Sequence, residues 1–257
     1  MPIWSPVHVA GWRLPPPLLQ ECYCVCCSCA RPARGRGLQP AGGALSSPPI
    51  ASKSKEQGMK IVVVGATGTI GKAVVAALQD RHEIVKVGNK GGDLQVDIKD
   101  AASIRKLFEK TGRFDALVST VGKVHFGDFA KLTEAEVQIG LKDKLMGQVN
   151  LALIGRDFIN DEGSITLTSG VLSHDPIRYG ACASLVNGAL DAFTRAAAIE
   201  LPRGLRINIV SPGVLVESLP VFGDYFHGHE PVSGARVANA YVKSVEGRLT
   251  GQVFHVL

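Results

Sequence analysis

The sequence predicts a single α/β domain with a doubly wound parallel sheet, preceded by a separate N-terminal segment. From Met59 onward, short β-branched runs alternate with longer amphipathic stretches, which is the pattern of parallel strands connected by helices on both faces of a sheet. A glycine-rich turn follows the first of these runs. The total length of 257 residues fits one such domain together with an extension.

The composition of the chain changes at Met59. Residues 1–58 contain nine of the 14 prolines, five of the six cysteines and both tryptophans. They also contain six of the 28 basic and two of the 23 acidic residues, so the remainder of the chain carries a net charge of only +1. The overall charge of +5 is therefore no reason to expect nucleic acid as a partner. No apolar run approaches the roughly 18 residues of a membrane span.

Residues 1–58 are predicted to be a disordered leader, because they are rich in proline and glycine and show no helical or strand periodicity. Their few acids and their arginines fit a transit peptide for a plastid or a mitochondrion. Since Met59 directly opens the first strand, they are equally well explained as an optional extension of a cytoplasmic protein. Two Cys-x-x-Cys spacings occur here, but no second Cys or His pair follows, so no metal site is predicted.

The glycine-rich turn lies inside a predicted strand–helix–strand unit. The first strand covers the apolar residues 60–64, the helix covers residues 72–80 and the second strand covers residues 84–87. A glycine motif in this context, within about 30 residues, is typical of dinucleotide-binding domains. The context therefore gives the motif a weight that the glycines alone do not have.

Three glycines of this turn have separate predicted roles. Gly65 permits a tight turn, and Gly68 lets the backbone approach a pyrophosphate. Gly71 lets the helix pack closely against the strand. The N-terminus of the helix offers free N–H groups and a positive dipole to phosphates. We therefore predict a dinucleotide site at this turn.

The residues after the second strand favour NADP(H) over NAD(H). An acidic residue at this position accepts a hydrogen bond from the ribose 2′-hydroxyl of NAD, whereas a basic residue suits the 2′-phosphate of NADP. Here the strand is followed by Gly88, Asn89 and Lys90, and Asp93 comes only in the next turn. Lys90 is therefore expected to meet the phosphate.

The remaining elements continue the alternation, with a plausible helix cap at Asp100. Strands are predicted at residues 94–96, 116–118, 164–167, 206–210 and 252–256, and helices at residues 101–111, 133–158, 179–201 and 232–245. This order predicts right-handed crossovers in one parallel sheet.

Several short motifs stand at matching places in this order, at the ends of successive strands and in one helix. They are Asp97-Ile98, Ser119-Thr120-Val121-Gly122, Leu167-Thr168-Ser169, Ala183-Ser184, Pro212-Gly213 and Thr250-Gly251-Gln252-Val253. Together with the glycine turn, they resemble the short-chain dehydrogenase/reductase family over residues 59–257. The resemblance implies a Rossmann-like fold and a homodimer or homotetramer formed through the two long helices.

The resemblance also implies a set of residues that bind the cofactor. These are Gly65, Thr67, Gly68, Thr69, Ile70, Gly71, Asn89, Lys90, Asp97, Ile98, Ser119, Thr120, Val121, Gly122, Pro212 and Gly213.

The expected catalytic residues of that family are mostly absent. The family uses a tyrosine as acid and base, a lysine four residues later, a serine and an asparagine. When Ala183-Ser184 is aligned with the corresponding family motif, Ala181 stands at the tyrosine and Leu185 at the lysine. The asparagine position holds Lys144, and of the four residues only Ser169 remains.

The candidates for the reaction itself are Ser169, Lys144, His174 and Tyr179. His174 follows Ser169 in the loop above the strand end, where sites of open α/β sheets form. Tyr179 precedes the vacant tyrosine position by two residues, a rotation of about 200° in a helix, so it reaches the site only from a loop. We expect His174, Tyr179 or Lys144 to replace the missing acid.

These observations predict an NADP(H)-dependent oxidoreductase that reduces a carbonyl or a conjugated double bond. A non-catalytic NADP(H)-binding regulatory or interaction protein is the alternative, because the tyrosine and the lysine are missing. The segment after Pro212-Gly213 is apolar and aromatic, which fits a lid over a hydrophobic ligand and equally a docking patch or ordinary core.

Overall fold

The computed structural model of the chain describes residues 58–257. Residues 1–57 lie outside the described residues, and they contain the five cysteines of the predicted leader. The predictions of disorder, of a transit peptide and of the absence of a metal site in that segment therefore stay predictions.

The described residues form a parallel sheet of seven strands in the order β3-β2-β1-β4-β5-β6-β7. The strands are β1 (Lys60–Val64), β2 (Glu83–Gly88), β3 (Leu94–Gln95), β4 (Phe114–Ser119), β5 (Ile159–Thr168), β6 (Arg206–Pro212) and β7 (Val253–Val256). The order reverses between β1 and β4, and ligands of open α/β sheets bind at such a switch point. The predicted doubly wound parallel sheet is confirmed.

Helices cover both faces of the sheet. They are α1 (Thr69–Leu78), α2 (Ala101–Thr111), α3 (Glu134–Gly140), α4 (Met146–Gly155), α5 (Ala181–Glu200), the single turn α6 (Leu219–Phe222) and α7 (Gly234–Glu246). Ile104, Leu151 and Leu190 place α2, α4 and α5 over one apolar core. Val74 and Val237 place α1 and α7 over the other. Asp100 caps α2 as expected, since its carboxylate accepts a hydrogen bond from the Ala102 N–H at 2.9 Å.

The long helix predicted over residues 133–158 is wrong in detail. Thr133 and Glu136 form a capping box that starts α3, and a π-helical turn over Leu141–Leu145 separates α3 from α4. Residues 156–158 are not helical, because the chain turns there into β5. The π turn matters for function, because it contains Lys144 and because such turns often occur at functional sites.

Other boundaries also differ from the prediction, among them the starts of β5 and α5. Strand β5 begins at Ile159, five residues before its predicted start, and this early part is polar in sequence. Arg203 holds it by donating to the Ile159 carbonyl at 3.0 Å and to the Asp161 carboxylate at 2.8 Å. Helix α5 begins at Ala181, so Tyr179 lies in the preceding loop, with a backbone φ of 67°.

Candidate functional site

Two cavities lie at the carboxyl edge of the sheet, where β1, β2, β4, β5 and β6 end. The first, the cofactor cavity, has a volume of about 330 Å³. Its lining includes Gly65, Thr67, Gly68, Asn89, Asp97, Ile98, Thr120, Val121 and Gly122. The second, the apolar cavity, has a volume of about 230 Å³ and is lined mainly by aliphatic and aromatic side chains.

The glycine turn has the geometry that its sequence predicts. Gly65 has a backbone φ of 93°, which side-chain-bearing residues rarely adopt. A Cβ on Gly71 would collide with the Gly65 carbonyl oxygen, so only glycine lets α1 pack this closely on the turn. Gly68 is the N-cap of α1, and no side chain caps this helix. Its N-terminus is therefore open to an anion.

At the end of β2, Asn89 lines the cofactor cavity. Lys90 follows it on the exposed tip, outside the residues that line the cavity. The Asp93 carboxylate accepts a hydrogen bond from the Lys86 N–H at 2.8 Å, which holds it in the turn after β2. Lys99 and Lys123 also line the cavity. The lining of the cavity therefore contains two lysines and two acidic residues, Asp97 and Asp143, and no acidic residue stands at the tip of β2.

The other predicted cofactor residues lie in several places around the two cavities. The Thr120 hydroxyl donates toward the Val64 and Gly65 carbonyls, both at 3.2 Å, and so ties the end of β4 to the glycine turn. Ser119, the last residue of β4, is fully buried. Thr69 and Gly71 lie in the first turn of α1, and Asp97-Ile98 line the cofactor cavity. Ile70, Pro212 and Gly213 line the apolar cavity.

Lys144 supplies the positive charge of the apolar cavity. Its Nζ donates to the Ser169 carbonyl at 2.8 Å and to Asn187 Oδ1 at 2.7 Å. Burial lowers the pKa of Lys144 to about 8, and the nearby charge of Asp191 acts in the opposite direction. An ammonium has three protons, and two of them are engaged with protein acceptors. The third is left for a ligand in the cavity.

The backbone makes room for this lysine. Gly122, at the end of β4, has a φ of 125°. A Cβ there would lie 2.5 Å from Lys144 Cγ and 2.7 Å from Lys144 Cα. The glycine therefore brings the edge of the cofactor cavity into contact with the π turn that carries Lys144.

Ser169 lies next to Lys144 and also lines the apolar cavity. Its backbone N–H donates to the Val210 carbonyl at 2.9 Å, which fixes the chain between β5 and β6. Its hydroxyl oxygen is buried and has no hydrogen-bond partner among the described residues. Because buried hydroxyls are normally hydrogen-bonded, this oxygen is available to a ligand.

Helix α5 turns different residues toward the cavity from those that the sequence alignment indicated. Ala181 and Leu185, aligned with the family's tyrosine and lysine, are exposed, and Leu185 retains 50% of its accessible surface. Ala183 and Asn187, also four residues apart, line the apolar cavity. In neither position does α5 bring a tyrosine or a lysine to the cavity.

Tyr179 and His174 lie away from the residues that line the apolar cavity. Tyr179 packs beneath the Arg178 guanidinium, 4.7 Å from its ring centroid, and edge-on to Tyr225 at 6.1 Å. Its φ of 67° turns it toward a separate surface depression. His174 is exposed and stacks edge-to-face on His255, with 4.5 Å between ring centroids.

Sequence reasoning missed two parts of the site. Asn187, which accepts the hydrogen bond from Lys144, is not among the predicted site residues. Val124 and Phe126, in the loop after β4, line the apolar cavity together with Phe222 and Phe226 of the segment after β6. The four-residue spacing of Ala183 and Asn187, both buried, is the signal that would have identified the inward face of α5.

Comparisons with known proteins bear on the family and the fold of the chain. A family model described as enoyl-(acyl carrier protein) reductase matches residues 48–226. A short-chain dehydrogenase/reductase of Stachybotrys chlorohalonatus is 30% identical over 199 residues, which are 72% of this chain and 76% of that protein. An uncharacterized oxidoreductase of Methylorubrum extorquens is 29% identical over 187 residues, which are 63% of this chain and 75% of that protein.

Solved structures are similar over the described domain. A protein of Listeria innocua has 46% identity and a TM-score of 0.76, over 77% of this chain and all of that one. A small-chain dehydrogenase in complex with NADPH has 26% identity and a TM-score of 0.70, over 78% of this chain and 97% of that one. Within residues 58–257, no helix is both long and apolar enough to cross a membrane. The same residues contain no cluster of three or more His, Cys, Asp or Glu side chains suited to a metal ion.

Proposed function

Because the chain belongs to the short-chain dehydrogenase/reductase family, we propose that it is an NADP(H)-dependent oxidoreductase that reduces a carbonyl or a conjugated double bond of a small apolar molecule. The observation that carries the proposal is the pair formed by Lys144 and Ser169. A lysine with a pKa of about 8 and an unpartnered hydroxyl share an apolar cavity beside the glycine turn.

The residues of the first cavity fit a dinucleotide. The positive φ of Gly65, the close packing at Gly71 and the uncapped N-terminus of α1 form a cradle for a pyrophosphate. Asp97, Ile98 and Val121 stand where an adenine and its ribose would lie. Ile70, Pro212 and Gly213 would border the nicotinamide, which supplies a hydride when the cofactor is bound.

Lys144 acts in this proposal as the proton donor and as the charge that polarises the substrate oxygen. In the reduction, the carbonyl carbon accepts the hydride with its electron pair, and the oxygen takes a proton from Nζ. Ser169 holds the same oxygen with its hydroxyl. A pKa of about 8 keeps Lys144 largely protonated at neutral pH and still able to release the proton.

Lys144 and Asn187 can be related to the lysine and the asparagine that the family normally uses. We infer that Asn187, which lines the apolar cavity from α5, takes the place of the family's lysine instead of the exposed Leu185, which the motif alignment put there. Lys144 is the residue aligned with the family's asparagine. We infer that the lysine and the asparagine have exchanged positions. The positive charge reaches the same space from the π turn, and Asn187 Oδ1 on α5 accepts a hydrogen bond from Lys144 Nζ at 2.7 Å. Ala183 then occupies the place of the tyrosine, which leaves the proton transfer to Lys144.

The apolar cavity limits the substrate. Its lining is largely Val, Leu, Ile and Phe, and its polar side chains are Lys144, Ser169, Asn187 and Ser218. One oxygen-binding corner in a volume of about 230 Å³ suits a small molecule with one reducible oxygen-bearing group. The aromatic side chains of Phe222 and Phe226 close the cavity from the segment after β6.

The same family relation supports a homodimer or homotetramer built on α4 and α5. Apolar side chains are exposed along these helices, including Leu153 and Leu185, and Ile199 retains 87% of its accessible surface. Exposed apolar groups in one region favour an interface.

Calorimetric titration of the full chain with NADPH and NADH tests the cofactor assignment first. NADPH oxidation is then followed, by its absorbance, with a panel of small apolar aldehydes, ketones and enones, and with their carboxylate-bearing analogues. We expect binding that favours NADPH and oxidation with apolar members of the panel. If neither cofactor binds, the proposal fails. If NADPH binds and no compound is reduced, the chain is the alternative, a non-catalytic NADP(H)-binding protein.

A further inference from the structure

We propose that a buried polar path runs from Lys144 to a pair of surface histidines, His174 and His255, and that protons reach Lys144 along it. The path consists of Asp191 on α5, Ser211 on β6 and water between them. The inference rests on the proposed function of Lys144. It assigns Asp191, Ser211 and His255 as positioning residues, none of which is among the residues that line the apolar cavity.

Polar side chains form a row across the carboxyl ends of β5, β6 and β7. Ser169, Ser211 and His255 each lie two residues after an apolar residue of the core beneath α5, and side chains two apart share one face of a sheet. Those apolar residues are Leu167, Ile209 and Val253. Ser211 pairs with His255 in the β6–β7 register, and the Ser169 N–H bonds to β6 one residue before Ser211.

Helix α5 places two polar residues above this row. Asn187 and Asp191 lie one turn apart on its buried side, and their exposed fractions are 3% and 5%. Asn187 Oδ1 holds the Lys144 ammonium, and the charge of Asp191 acts on both Lys144 and His255. Asp191 therefore lies between the cavity and the β7 edge.

Three buried polar atoms in this region have no hydrogen-bond partner among the described residues. They are Ser169 Oγ, Ser211 Oγ and Asp191 Oδ1. Buried polar atoms are normally paired with protein groups or with internal water that makes two to four hydrogen bonds. Three such atoms on facing surfaces of α5 and the strand ends indicate ordered water, which would connect Asp191 to the two serines.

The outer end of the path reaches solvent at His174 and His255. Both side chains are exposed, and their rings contact each other edge-to-face. Partial burial, His174 and Arg195 lower the pKa of His255, while Asp191 acts in the opposite direction. An exposed imidazole accepts protons from water and releases them to it, so His255 can serve as the entry point of the path.

The path provides a route by which Lys144 regains its proton after each reduction. After Lys144 gives a proton to the substrate oxygen, its neutral amine still faces the Ser169 carbonyl and Asn187 Oδ1, which are acceptors and have no proton to return. In the path, protonated His255 gives its proton through water to the Asp191 carboxylate, and Asp191 releases it through water to the neutral amine of Lys144. His255 then takes a proton from solvent, so the net change is one proton from solvent for each substrate oxygen protonated.

The first test needs neither cofactor nor substrate. The Lys144 titration is followed in the full chain by the ¹³Cε chemical shift of labelled lysine, assigned by its loss in Lys144→Met. We expect a midpoint near 8, lowered by about one pH unit in Asp191→Asn and close to the original in Asp191→Glu. An unchanged midpoint in Asp191→Asn would overturn the link between Asp191 and Lys144, whether or not the chain proves to be a reductase.

The second test measures how fast the Lys144 ammonium protons exchange with water, by ¹⁵N NMR of the same protein below pH 7. We expect exchange to slow by about tenfold in His255→Gln and in Ser211→Ala, with partial recovery when imidazole is added to His255→Gln. His227→Gln, on an exposed loop histidine, is the matched control and should leave the rate unchanged. Equal exchange rates in all three variants would refute the path, even if Asp191 shifts the pKa of Lys144.

Discussion

The cofactor cavity and the apolar cavity lie side by side at one edge of the sheet, but they differ in how closely they follow the family pattern. Around the first, the motifs that resemble the family line one cavity together: the glycine turn, Asp97-Ile98 and the segment after β4. Around the second, the tyrosine and lysine are absent from α5, and the positive charge comes from Lys144 on a π turn.

The difference has a physical reason. A pyrophosphate is recognised by backbone N–H groups and by close packing, and these depend on Gly65 and Gly71, for which no other residue can substitute without strain. A proton and a positive charge can reach a substrate oxygen from any side chain that extends to it. In the proposed function, the cofactor cavity is therefore fixed by its backbone, whereas the apolar cavity is free to change its side chains.

Replacement of Lys144 is expected to have the largest effect on turnover. In Lys144→Met, reduction should slow by about 10²–10⁴-fold, because the proton donor is lost, while NADPH binding is retained. Since the protonated amine is the acid, the wild-type rate of reduction should fall as pH rises through about 8, and this fall should be absent from the residual activity of the variant. Steady-state rates across pH measure both effects.

The matched control for this variant is Lys142→Met, in the same π turn but on an exposed side chain. It should keep the original rate and pH profile. If Lys144→Met retains full activity, the proton comes from another group, and the proposed role of the apolar cavity is wrong.

A substitution in the glycine turn should lower the stability of the fold beside the cofactor cavity. In Gly71→Ala, the new Cβ meets the Gly65 backbone, so we expect the free energy of unfolding to fall by about 2–3 kcal/mol, together with loss of NADPH binding. Gly188→Ala, in α5, is the matched control: nothing lies within 4 Å of its Cβ, and alanine should stabilise that helix by up to about 1 kcal/mol. Denaturant titration compares them, and equal stabilities would contradict the close-packing argument.

The proposed exchange of lysine and asparagine is tested by reversing it. Lys144→Asn and Asn187→Lys should each lose most of the activity, because one removes the charge and the other sets two ammonium groups against each other. The double variant should recover at least about tenfold over the poorer single variant, since the pair is coupled. Activities that simply multiply would show that the two side chains do not act as one unit.

The sequence predicts the residues around the cofactor cavity better than those around the apolar cavity, for the same physical reason. The strand order and the glycine turn follow from patterns of neighbouring residues, as in Lys60–Val64 and Gly65, and the structure agrees with them. The contact between Lys144 and Asn187 joins residues 43 positions apart, and it depends on a π turn that no local pattern indicates. The residues of α5 that line the apolar cavity, Ala183 and Asn187, come two positions after the aligned Ala181 and Leu185, and the small apolar residues of this helix do not show which side faces inward.

Cofactor choice should show the smallest of these effects. Asn89→Asp places a carboxylate at the tip of β2, on a side chain that lines the cofactor cavity, where it would repel a 2′-phosphate and accept a hydrogen bond from a 2′-hydroxyl. We expect the preference for NADPH over NADH to fall by about tenfold, a change of about 1.4 kcal/mol. Lys90→Ala should weaken NADPH alone, whereas Lys106→Ala, an exposed lysine on α2, should change neither. If Lys90→Ala and Lys106→Ala behave alike, the cofactor preference does not depend on Lys90, and the lysines that line the cavity, Lys99 and Lys123, become the groups to replace.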